Sequence, residues 1–126
     1  MGPRSRARKT LGDSAERVAA LYLEQHGHKI LARNVRTRAG EIDLIAEDGA
    51  ELAFVEVKAR RGTAYGTPEE AITPRKQIRL ANLADAFMAQ QPEFAGRPWR
   101  IDVVAIQLDR AGKIVRINHI KNAVTL

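Results

Sequence analysis

Apolar residues Ala15, Val18, Ala19, Tyr22 and Leu23 recur three and four positions apart, the spacing of one helical face. Asp13 can cap that helix, Glu16 three residues later completes a capping box, and Gly27 offers a C-terminal stop. The pattern then changes to alternation. Ile30 to Val35 forms a weak first strand. Glu41 to Glu47 and Glu51 to Ala59 are stronger and meet at Asp48-Gly49, a dipeptide that favours hairpins.

The start of Glu51–Ala59 is apolar on both faces, which predicts a central strand covered from each side. Arg60 to Thr67, with two glycines, reads as a loop. Thr73-Pro74 opens a second helix, with threonine as cap and proline at the first helical position. Leu80, Leu83, Ala84, Phe87 and Met88 mark its buried face, and Pro92 ends it. Trp99 to Leu108 and Ile114 to Ile120 are two further strands around a turn over Asp109 to Lys113. The order helix, three strands, helix, two strands predicts one α/β domain over residues 11–126. A flexible basic arm over residues 1–10 precedes it.

With 126 residues, 44% of them hydrophobic, the chain can bury a core without staples. There is no cysteine, which excludes disulfides and thiolate metal sites and fits a reducing compartment. No apolar run spans a bilayer, so the expectation is a cytoplasmic protein with no membrane partner. The 21 Lys and Arg against 15 Asp and Glu give a net charge of +6, which favours a polyanionic partner such as nucleic acid.

Candidate chemistry sits on the hairpin. Side chains alternate along a strand, so Glu56 and Lys58 share a face with Leu52 and Phe54, while Asp43 shares one with Ile45. If Asp48-Gly49 is a two-residue turn, Asp43 pairs with Phe54 and lies diagonal to Glu56. A four-residue loop sets Asp43 directly opposite Glu56. Either register puts both carboxylates on one face. At about 6 Å they repel by roughly 3 kcal/mol at an effective dielectric near 20, which Lys58 offsets in part and a divalent cation offsets further. The plainer reading is a surface ion pair between Glu56 and Lys58.

Elsewhere, Glu16 is explained by capping alone. Lys76 lies on the same helical stripe as Leu80, Leu83 and Phe87, where its stem can pack while the amine reaches outward. His26, His28 and His119 lack the companions of a metal site and read as surface or packing residues. The role of Asp102, inside an apolar strand, stays open. No P-loop, dinucleotide glycine pattern or Ser-His-Asp arrangement is present.

Gly40-Glu41-Ile42-Asp43-Leu44-Ile45, followed by Phe54-Val55-Glu56-Val57-Lys58, resembles the YraN-like family of bacterial proteins. It also resembles the archaeal Holliday junction resolvases of the PD-(D/E)xK nuclease superfamily. The likeness runs from about Leu11 to Leu108. It implies a restriction-endonuclease-like fold, with a mixed central sheet flanked by helices. It further implies metal ligation by Asp43 and Glu56, water positioning by Lys58, and a supporting carboxylate from Glu16, which goes beyond the capping role. Ile42 stands where the superfamily's name has proline.

The expectation is a magnesium-dependent endodeoxyribonuclease, with manganese able to substitute, acting on branched or structured DNA. Catalysis falls to Glu16, Asp43, Glu56 and Lys58. Arg36, Arg38, Arg60, Arg61 and Lys76 are the candidates for gripping nucleic acid. A junction-cutting enzyme needs two sites, so a homodimer is expected, with the second helix and the Trp99 strand offering apolar contact. Two rival readings keep the same residues: a non-catalytic nucleic-acid-binding module and a protein-interaction subunit.

Overall fold

A strand that is apolar on both faces needs a layer on each, and the computed structural model supplies them. It describes the backbone of residues 3–124 and the side chains of residues 14–124. The elements are α1 (Pro3–Gln25), β1 (Lys29–Thr37), β2 (Gly40–Asp48), β3 (Glu51–Arg61), α2 (Pro74–Gln90), β4 (Trp99–Leu108) and β5 (Ile114–Ile120). Short 3-10 turns lie at Glu69–Ala71 and Pro92–Phe94. The expected α/β order of helix, three strands, helix and two strands is the observed one.

The five strands form one sheet in the order β1-β2-β3-β4-β5. β1, β2 and β3 are antiparallel neighbours, β3 and β4 run parallel, and β4 and β5 return to antiparallel. A parallel pair cannot be closed by a tight turn, and α2 lies in the connection between β3 and β4. β3 is therefore the middle strand, as its two apolar faces require.

Alternation divides the core in two. Ala53 and Val55 face α1, where Ala15, Ala19, Ala20 and Leu23 pack with Leu44, Val104 and Ile106. Phe54 faces α2, against Leu80, Leu83, Phe87 and Ile101. Its ring meets Phe87 and Trp99 edge-on, at centroid distances of 5.5 and 5.7 Å. The apolar stripe of α2 and Trp99, expected as material for a dimer contact, is thus used in the core. Ile78 remains exposed on α2.

Two sequence expectations change. α1 is helical through Gly12 and Asp13, so it does not begin at Asp13. Residues 3–10, expected as a separate arm, belong to the same helix, while the Asp13 side chain of the capping box lies outside the described residues. At the hairpin, Asp48 pairs with Glu51, leaving Gly49-Ala50 as the loop, with Gly49 at a φ of 60° that favours glycine. The register is the one expected from the longer loop, not the one expected from an Asp48-Gly49 turn.

Asp102 has no exposed surface and anchors a polar network. Arg100 donates to both of its oxygens, at 2.9 and 3.1 Å. His119 and the backbone N–H of Asn122 complete the set at 2.9 Å each. Arg100 also donates to Asp48 at 3.0 Å and to Glu51 at 2.7 Å, which ties β4 to the hairpin end. Burial alone would raise the Asp102 carboxyl, but the hydrogen bonds from His119 and Arg100 outweigh it and hold the group at about 2. His28 and His119 are therefore parts of this network, not isolated packing residues. His28, Asp102 and His119 do bring potential ligand atoms within 4.8 Å of one another. Both Asp102 oxygens, however, are occupied by these donors.

Candidate active site

The last paired residues of β2 and β3 at this end are Leu44 and Val55. One step further, that register sets Asp43 across from Glu56. The ladder stops there, and the Asp43 carboxylate itself accepts the Val57 N–H at 2.8 Å. A side chain thus replaces a strand-to-strand bond and fixes the carboxylate between β2 and β3.

Glu56 shares the face of Phe54, which turns it towards α2. It is buried and receives the Lys76 ammonium at 2.9 Å from Nζ to Oε2. Lys76 reaches it from the first turn of α2, whose start is set by Pro74 and by Thr73, the Oγ1 of which accepts the Lys76 N–H at 3.3 Å. Ile42, Phe54, Leu80, Leu83 and Ile101 wall an apolar pocket beside Asp43 and Glu56.

From the other layer, α1 brings Glu16. Oxygens of Glu16, Glu41 and Asp43 lie within 4.8 Å of one another. Burial, a hydrogen bond to Glu56 and the charge of Glu56 push the Asp43 carboxyl up to about 8, although the Val57 N–H pulls the other way; Glu16 adds to the rise. This neighbourhood favours the protonated form of Asp43, and a bound cation would oppose that. Lys58 is lowered, first by burial and then by Lys76 and Arg60, while Glu56 and Asp43 oppose the shift. The donor set is all oxygen and crowded with negative charge, which suits a hard divalent cation such as magnesium.

The structure brings Asp43, Glu56 and Lys58 together, with Glu16 beside Asp43 and Lys76 on Glu56. Arg60 stands within electrostatic reach of Lys58, and its buried Nε has no hydrogen-bond partner among the described residues. Arg36 is exposed and approaches Glu41 at 3.7 Å. Arg38 is exposed in the turn between β1 and β2. Arg61 leans on Gly112, away from the carboxylates' contacts. Sequence reasoning missed Glu41, although its position two residues before Asp43 on one strand was a signal. It also missed that Lys76 pairs with Glu56, which depends on where α2 docks.

The model of the uncharacterised protein family UPF0102 matches residues 15–106. A UPF0102 protein of Symbiobacterium thermophilum is 48% identical over 118 residues, covering 91% of this chain and 96% of the relative. One from Pelotomaculum thermopropionicum is 46% identical over 117 residues, covering 93% and 97%. One from Roseiflexus castenholzii is 47% identical over 117 residues, covering 93% and 94%. The match takes in α1 from Ala15, the hairpin with Asp43, Glu56 and Lys58, all of α2 and most of β4, so the chain belongs to the family UPF0102.

Proposed function

We propose that the protein is a metal-dependent phosphodiesterase, an endodeoxyribonuclease for branched or structured DNA. The observation that carries this reading is the β2–β3 register that sets Asp43 across from Glu56, with Lys58 and Glu16 at hand. Buried carboxyls held that close destabilise the fold slightly unless a cation joins them, and such a cost is common at functional sites. Asp43 and Glu56 would hold magnesium or manganese. That ion would polarise the scissile phosphate and acidify a water molecule.

The remaining roles belong to the chain. Val57 holds the Asp43 carboxyl in place through its N–H, which limits the reorganisation that binding requires. Lys58, with its lowered pKa, is suited to orient the attacking water and pass a proton. Glu16 supplies a further acceptor on the α1 side. Arg60 supports phosphate binding at the same end of β3, and Arg36, Arg38 and Arg61 are the further candidates. None of these groups offers a base-reading arrangement, which favours recognition of DNA shape over sequence. Cutting both strands of a junction would call for a homodimer.

The test is cleavage of junction, flap, single-stranded and duplex DNA with magnesium, with manganese, and with neither. Metal-dependent products that vanish in Asp43→Asn support the reading. DNA binding without cleavage of any substrate would support instead a non-catalytic binding module, in which the Lys76–Glu56 pair stabilises a site that no longer turns over.

A further inference from the structure

Glu56 is 9% exposed at its side chain and Lys76 31%, and the ammonium stands 2.9 Å from a Glu56 oxygen. A cation shared with Asp43 would draw on the same Glu56 carboxylate. An ammonium and a divalent cation compete for one carboxylate in a partly desolvated site, because their repulsion is only weakly screened there. The two ends of the pair also differ in freedom. Glu56 is fixed by β3, with Phe54 and Lys58 on either side of it along the face. Lys76 has a four-carbon stem and a half-open position in the first turn of α2.

We infer that Lys76 is the resident counter-cation of Glu56, and that an incoming divalent cation displaces it and frees its ammonium for a DNA phosphate. The inference rests on the reading of Asp43 and Glu56 as metal ligands. It gives Lys76 a role beyond a general phosphate grip. Lys58 stands within electrostatic reach of both Lys76 and Arg60, and the N-terminal turn of α2 adds its partial positive charge. Released from Glu56, Lys76 joins a cationic cradle that is poorer by one charge before metal enters. Metal and DNA therefore strengthen each other's binding, by the same factor in both directions.

The experiment uses the full chain. Manganese is titrated calorimetrically into the wild type, Lys76→Met and Lys76→Arg without DNA. Junction DNA is then titrated with and without calcium, which is expected to occupy the site without supporting cleavage. Lys76→Met should bind manganese about tenfold tighter, since the competing ammonium is gone, while Lys76→Arg stays near the wild type. Calcium should raise junction affinity in the wild type and leave Lys76→Met unchanged. If Lys76→Met does not fold, Lys76→Gln carries the same expectation. Manganese affinity that is equal or weaker without the lysine overturns the inference, as does failure of both proteins to bind manganese at millimolar concentration. A wild type that cuts no DNA, with tighter manganese binding in Lys76→Met, would overturn the nuclease reading and leave this one standing.

Discussion

The Asp43 carboxylate accepts the Val57 backbone N–H at 2.8 Å where the β2–β3 ladder ends, so one side chain serves as both sheet connector and candidate ligand. The two tasks respond differently to substitution. Asparagine keeps an oxygen for Val57 and removes the titrating carboxyl; alanine removes both.

That difference gives a stability prediction with a definite sign. The folded Asp43 carboxyl titrates near 8, against an ordinary value of 3.8. The native state then holds a proton that the unfolded chain has lost, so metal-free stability falls as pH rises from about 4 to about 8. Asp43→Asn should flatten that decline and melt higher than the wild type near neutral pH in chelator. Asp43→Ala should melt lower than Asp43→Asn, because the Val57 N–H loses its acceptor. Thermal melts across the window, with and without magnesium, check this. A large loss of stability in Asp43→Asn would mark the residue as a structural anchor.

Turnover and binding should separate at Glu56. Glu56→Ala is expected to abolish metal-dependent cleavage while DNA affinity stays within about tenfold, since phosphate contacts dominate affinity. Filter binding and cleavage assays on the same preparation decide it.

The arginines make the complementary case. Arg60→Ala combined with Arg61→Ala should weaken binding and lower the slope of log affinity against log salt by about 1 for each phosphate no longer neutralised. Arg60 should account for most of the change, because it is the one within reach of Lys58. An unchanged slope would remove both from the binding surface.

Away from the site, Asp102 is expected to matter for folding alone. Asp102→Ala leaves Arg100 without its bidentate partner and Asn122 without an acceptor, a loss of about 3–5 kcal/mol if the pair behaves as other buried ion pairs do. Because the folded carboxyl titrates near 2, below its ordinary value of 3.8, its contribution is complete above about pH 4 and is lost as pH falls towards 2. Denaturant melts of the variant and acid titration of the wild type measure the two effects.

Much of this was legible in the sequence because it depends on local rules. Alternation put Glu56 and Lys58 on one face, Thr73-Pro74 marked the start of α2, and two apolar faces identified β3 as central. Hairpin parity put Asp43 with Glu56 under either turn, although the register itself needed the structure: Asp48 pairs with Glu51 instead of entering the loop. What stayed hidden depends on distant docking. Lys76 looked like an outward cation until α2 settled over Glu56, and Asp102 looked like an anomaly until Arg100, His119 and Asn122 surrounded it.

The mixed sheet also implies an order of assembly. Asp43, Glu56 and Lys58 lie on a hairpin whose strands are joined by Gly49-Ala50, so these groups can meet early, through contacts between sequence neighbours. β4 must find β3 in parallel across residues 62–98, where Leu52 pairs with Trp99, and α2 docks as part of that slower closure. Lys58 travels with the hairpin, whereas Lys76 reaches Glu56 only when α2 docks. A state with the hairpin formed and α2 undocked would leave Glu56 without Lys76. A divalent cation present during refolding would find its ligands at their most accessible then, and would act on the rate of folding as well as on the finished protein.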